Sequence, residues 1–221
     1  MTQSEQATNS RALFEAIDIW DYYRIGVSGL PAEHYITQTI YNPSSSRNIY
    51  HLPYRYNPDQ VKSVQAISGL RVDSISEGLG KNAYRSAVLA LEQPLGPGEI
   101  TQIELVRYLN PAFGDRHGRS FMRNVGASAL KNWGCTIAFD SDTMPLGVWW
   151  REQVRPRPDA APSVTSQRRH TLDISEAEWP HGKYVQLTSK EITEQDMSEK
   201  PDISMGFVWE WPRGVRPSRY S

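Results

Sequence analysis

This 221-residue sequence has a single cysteine and almost no excess of one charge, and it lacks long apolar runs and glycine-rich phosphate loops. Its single cysteine, Cys135, excludes an internal disulfide and cannot alone build a thiolate metal site. The five histidines stand far apart with no pair at metal-ligand spacing, so no metal is expected. No stretch approaches the roughly 18–20 consecutive apolar residues needed to cross a bilayer as a helix, and no membrane partner is expected. Walker and Rossmann glycine motifs and a Gly-x-Ser-x-Gly elbow are absent, so no cofactor and no α/β-hydrolase serine are expected. Twenty-four basic against 25 acidic residues give a formal net charge of -1, which supplies no general attraction to nucleic acid. The opening MTQSEQATNSRALFEAIDIW lacks the basic and continuous apolar regions of a signal peptide, from which a cytoplasmic location is expected.

What the sequence does hold is aromatic surface. Seven Trp and 11 Tyr within a 38% apolar composition suit a globular chain whose sheets carry large amphipathic rings. Strand signals recur along it. Asp18 to Val27 alternates loosely, Ser28-Gly29-Leu30-Pro31 reads as a turn, and His34 to Tyr41 places His34, Ile36, Gln38 and Ile40 on one face. Ile49 to Tyr56, Val61 to Ser68, Leu70 to Ser76 and Tyr84 to Leu91 are further short strands. Pro97-Gly98 then combines a fixed φ with a residue that tolerates positive φ, which predicts a tight reversal into Ile100 to Leu109.

Between Arg119 and Trp133 the apolar residues Phe121, Val125, Ala129 and Trp133 recur every fourth position, which predicts one helix. Strands resume at Cys135 to Asp140, Met144 to Val154, Arg168 to Ile174, Lys183 to Leu187 and Ser204 to Trp211; Arg155 to Ser166 reads as a Pro-rich loop. Glu191 to Asp202 reads as an acidic loop with room for one helical turn. The fold expected is mainly β: an antiparallel two-sheet sandwich of immunoglobulin-like type with one short helix. Residues 1–9 and 213–221 are expected to be disordered tails around one domain, 10–212, with 112–134 as the stretch where it could divide.

The Leu95-Gly96-Pro97-Gly98-Glu99 turn with its following strand, Thr39 to Ser45, Phe139-Asp140 through Met144-Pro145 to Trp149, and the closing Gly206 to Trp211 together carry a resemblance. The chain resembles the immunoglobulin-like β-sandwich regions of actinobacterial helix-turn-helix regulator-like proteins. The resemblance implies a sensing or protein-contact module. Only about 17 residues precede the first strand, fewer than a helix-turn-helix head needs, so direct DNA binding is not expected.

Three clusters could carry chemistry. Gly114 to Ser120 holds Asp115 and His117, which could exchange a proton, and Arg116 and Arg119, which could hold an anion. Alternation in the next cluster puts Tyr50, Tyr54 and Tyr56 on one side of a strand and His51 and Arg55 on the other, so the tyrosines could line a pocket. Trp149 and Trp150, with Trp209 and Trp211, could build an aromatic cavity or simply fill the core; neighbours in a strand face opposite ways, so one of the first two needs a second burial partner. The function expected is a non-enzymatic, regulatory β-sandwich that binds a small apolar or aromatic ligand or a partner protein and could form a homo-oligomer. A cofactor-free cyclase, isomerase or hydrolase, with Asp115, His117 or His51 as catalytic groups, and a structural assembly subunit are the alternatives.

Overall fold

Strict alternation organises most of the chain. A computed structural model describes residues 14–26, 31–77, 84–110, 120–124, 130–142, 144–154, 163–169, 174–179, 182–198 and 203–212. Its strands are β1 (Glu15–Ile25), β2 (Pro31–Tyr41), β3 (Ile49–Tyr56), β4 (Val61–Ser68), β5 (Leu70–Ser76), β6 (Arg85–Leu95), β7 (Ile100–Leu109) and β8 (Ser120–Asn124). The second half adds β9 (Asn132–Asp140), β10 (Gly147–Val154), β11 (Ser163–Arg169), β12 (Ile174–Trp179), β13 (Gly182–Thr188), β14 (Ile192–Thr193) and β15 (Ile203–Glu210). One short helix, α1 (Glu194–Ser198), follows β14.

The chain is mainly β, as expected, but the strands form three sheets rather than two. The largest runs β12-β13-β9-β1-β2-β7-β4, with β14 also on β9; β11-β10-β15-β8 and β3-β6-β5 form the others. An all-antiparallel arrangement does not hold, because β1 and β9 pair in parallel, Asp18 beside Asn132 through Ile25 beside Phe139. More than a hundred residues separate these strands, ample chain for the crossover that parallel pairing requires.

The helix expected between Arg119 and Trp133 is corrected. Residues 120–124 are β8, paired with β15, and Trp133 lies in β9; 125–129 are outside the described residues. A spacing of four is two strand periods as well as one helical turn, so it did not discriminate. The helix that exists, α1, falls inside the acidic stretch 191–202. The Pro-rich loop ends earlier than expected, in β11, and Ile174–Trp179 is a strand that the sequence did not suggest.

One side of the large sheet forms its core. Ile19, Tyr23 and Ile25 of β1, Ile36 of β2, Leu105 of β7 and Phe139 of β9 are buried there. Strand β9 is buried along nearly its whole length and lies inside the large sheet, between β13 and β1. The β11-β10-β15-β8 sheet packs on the β1/β9 half through edge-to-face and tilted rings: Trp133 on Trp150 at 5.6 Å and Phe139 on Trp209 at 5.6 Å. The β3-β6-β5 sheet covers the other half and contributes Leu52, Tyr56 and Leu89 to the same core.

Two glycines set sharp geometry. Gly98 has φ 72°, and Glu99 N–H donates to the Gly96 carbonyl at 3.1 Å, so the predicted Pro97-Gly98 reversal holds. Gly69, φ 73°, is the single residue between β4 in the large sheet and β5 in the small one. A Cβ there would stand 2.5 Å from the Gln102 carbonyl oxygen. Gly69→Ala is therefore expected to destabilise by about 1–3 kcal/mol, the range for a non-glycine residue forced into the left-handed region, plus the clash. A urea midpoint unchanged from the parent would refute this corner.

Candidate functional site

Three adjacent strands each place one ionisable side chain on the apolar side of the large sheet: Asp21 on β1, His34 on β2 and Arg107 on β7. Register explains their meeting. Tyr23 pairs with His34 and His34 with Arg107, so the imidazole stands between the other two groups. From β8, Arg123 reaches the same point.

Asp21 is completely buried and accepts four hydrogen bonds. His34 Nε2 donates to Oδ1 at 2.7 Å, Arg123 Nε to Oδ2 at 2.7 Å and Nη2 to Oδ1 at 3.0 Å, and Trp133 Nε1 to Oδ2 at 2.8 Å. Burial alone would raise its pKa, but the His34 hydrogen bond and the Arg123 charge outweigh it and hold the carboxyl well below the usual carboxylate range.

With Nε2 donating to the carboxylate, His34 Nδ1 is left as an acceptor, and Arg107 Nη2 donates to it at 2.6 Å. That pattern requires a neutral imidazole. Burial, and then the Arg107 charge, push the His34 pKa down to about 4 against the pull of Asp21. Tyr23 and Phe121 close around the ring, their own rings stacked at 4.9 Å. Tyr54, from β3 in the small sheet, completes the surroundings. Its buried hydroxyl lies against Arg107 and within electrostatic reach of Arg123 and Asp21, its O–H finds no acceptor among the described residues, and its pKa is raised chiefly by burial. Cys135, beside Asp21 in register, is also enclosed, and burial pushes its thiol well above the ordinary value, which leaves it unreactive. All three sheets thus meet at one charged point inside the fold.

The opposite side of the large sheet is a different surface. Trp20, Tyr22 and Arg24 of β1 lie there beside Thr37, Tyr35 and Glu33 of β2. Arg24 and Glu33 form an ion pair at 2.6 Å, and Tyr22 donates to Gln186 at 3.3 Å. Tyr35 donates to Glu33 at 2.9 Å; burial and that bond push its pKa up to about 12.

Near one end of this side is a pocket of about 90 Å³. Two rows of paired residues make it: Asn132, Asp18 and Thr39, then Gly134, Trp20 and Thr37, with Glu191 arriving from the link between β13 and β14. Gly134 matters here because the Trp20 ring lies over it; a Cβ would fall 2.1 Å from the ring. The indole is held by Nε1 donating to Thr136 at 3.3 Å and remains 36% exposed. Asn132 Nδ2 donates to one Asp18 oxygen at 2.7 Å, which fixes the carboxylate in the pocket wall.

The sequence-derived candidates lie mostly elsewhere. Asp115, His117, Arg116 and Arg119 lie outside the described residues. Tyr54 and Tyr56 do share a side of β3, but a register shift between Ile49 and His51 turns Tyr50 outward, where it is 55% exposed. His51 and Arg55 are exposed, with Arg55 over the Tyr84 ring at 5.5 Å. Trp150 is core, against Trp133 and Phe207, while half-buried Trp149 lies over Gly147. Of the candidates that are described, only Tyr54 belongs to the charged cluster. Asp21, His34, Arg107 and Arg123 were missed, although a signal existed: each of the first three occupies an inward position in an alternating strand whose inward positions are mostly apolar. Among the described residues no helix is long and apolar enough to cross a membrane, and no group of His, Cys, Asp and Glu is arranged to hold a metal.

No protein-family model and no curated protein matches the chain. Among solved structures it is similar to a chain from Parabacteroides distasonis provisionally described as a protease, at 12% identity and TM-score 0.48, over 91% of this chain and 41% of that one. It is also similar to a two-domain M1 zinc metallopeptidase bound to L-tryptophan, at 8% identity and TM-score 0.39, over 90% of this chain and 43% of that one. This chain spans about two fifths of the length of each structure.

Proposed function

We propose that the chain is a non-enzymatic, cytoplasmic binding module whose ligand is a small organic cation, a primary or quaternary amine, taken up in the Trp20 pocket. One observation carries this reading: the pocket is lined by two carboxylates, Asp18 and Glu191, and an indole, with no basic side chain among its lining residues. Carboxylates and an indole face are the groups that attract an ammonium, by charge and by the ring quadrupole. The ligand class is therefore cationic rather than apolar. Burial of the Asp21–His34 pair speaks against acid–base catalysis there, since His34 is only 2% exposed and holds both ring nitrogens in internal bonds. The architecture is read as a sandwich, the large sheet forming one layer and the two smaller sheets sharing the other.

Titration with choline and ethylamine, followed by calorimetry and tryptophan fluorescence, tests the reading. Saturable binding is expected for both amines and not for 3,3-dimethylbutanol, the neutral counterpart of choline. Asp18→Asn and Trp20→Ala are each expected to weaken binding about tenfold or more, roughly the loss of one charge or cation–π contact. Equal affinity in Asp18→Asn, or no saturable binding of either amine, overturns it. Gly134→Ala is expected to displace the exposed ring and weaken binding while leaving the urea midpoint near that of the parent, because the clashing atoms are the far end of a side chain that can swing outward.

A further inference from the structure

The charged cluster at the meeting of the three sheets is not neutral. Asp21 supplies one negative charge, Arg107 and Arg123 two positive charges, and His34 none while it accepts from Arg107. Among the described residues the sum is one uncompensated positive charge. Arg123 is paired with Asp21, whereas Arg107 joins no ion pair among the described residues. Its Nε is buried and without an acceptor among the described residues, and the Tyr54 hydroxyl beside it likewise has no acceptor there for its proton. Two enclosed donors lacking acceptors, one of them on a guanidinium with no counter-charge among the described residues, form an arrangement that a buried network ordinarily avoids.

We propose that this junction is a binding site for a small anion, which accepts from Arg107 and Tyr54 and offsets the surplus charge above the His34–Asp21 pair. Arg107 and Arg123 are each only partly buried, as are Tyr54 and Phe121, while Asp21 and His34 form the buried floor of the cluster. The chemistry fits a halide or a carboxylate- or phosphate-like group, since guanidinium and phenol both donate. Binding is linked to His34. The groups facing the imidazole are Asp21 and Tyr23 from β1, Arg107 from β7, and Phe121 and Arg123 from β8, with Tyr54 of β3 and Cys135 of β9 within reach of Asp21 and Arg123; an anion at Arg107 weakens the positive field that disfavours protonation of His34. The site is independent of the Trp20 pocket, which lies on the other side of the sheet.

The test is NMR of His34 during titration of the full chain with sodium chloride, sodium acetate or sodium phosphate, at an ionic strength held constant with a bulky sulfonate salt. A saturable shift of the His34 ring resonances, with a rise in its titration midpoint, is expected from at least one of the three; which anion acts separates a halide from a carboxylate or phosphate group. Tyr54→Phe removes only a hydroxyl whose proton has no acceptor among the described residues, so it should fold, and is expected to weaken anion binding several-fold. Arg107→Gln is expected to abolish it. Should none of the anions give a saturable shift, or should Tyr54→Phe bind as the parent does, the site does not exist as described.

Discussion

Asp21→Asn is expected to lower the unfolding free energy by about 3–5 kcal/mol, the usual consequence of removing one partner from a buried ion pair. The neutral amide keeps the shape of the carboxylate but removes the negative charge that Arg123 pairs with beside Arg107. It also turns one of two acceptor oxygens into a donor facing His34, Arg123 or Trp133, all of which are donors already. Because strands from two sheets depend on that carboxylate, the loss should be global. Urea unfolding followed by both fluorescence and circular dichroism measures it, with coincident transitions and a lower midpoint expected. A loss under about 1 kcal/mol would show that the cluster contributes little to holding the sheets together.

The second large effect is acid lability above the carboxylate range. His34 titrates near 6.5 in the unfolded chain and near 4 when folded, so between those values the unfolded state binds a proton that the folded state does not. Stability from this group is therefore complete above about pH 6.5 and falls as pH decreases towards 4, by an amount on the order of 3 kcal/mol. Asp21 acts in the same direction at lower pH, since its folded pKa is held below its unfolded value. In His34→Gln the amide donates to Asp21 and does not titrate, so the variant, though less stable at pH 7, should lose less between pH 7 and 4.5. Unfolding free energies at half-unit pH steps decide it. Parallel curves for parent and variant would remove His34 as the cause.

The strands were largely legible because alternation is a local signal, and so was the Pro97-Gly98 turn, whose residues fix its backbone directly. What could not be read was which strands pair. Nothing local to Asp18–Ile25 announces that its parallel partner lies at Asn132–Phe139, and without that pairing Trp133 cannot be placed beside Asp21. The same gap hid both candidate sites. The Trp20 pocket exists because Gly134 is opposite Trp20, and the charged cluster exists because three inward-facing ionisable residues fall in register on neighbouring strands. Residue types alone favoured the conspicuous groups, such as Tyr50 and Trp149. Tyr50 was misplaced by a single register shift, which reverses the side a residue faces.

The parallel union of β1 with β9 also governs the order in which the molecule can assemble. During synthesis β1, β2, β7 and β4 are all available long before β9 emerges, and contacts that far apart in sequence close slowly. Until residue 140 has been made, β1 is an open edge presenting unpaired amides and carbonyls together with the bare Asp21 carboxylate. An acidic group on the inward side of an unfinished edge discourages another strand from docking there, which is how natural sheets limit self-association. The residue that locks the finished fold thus also protects the unfinished one.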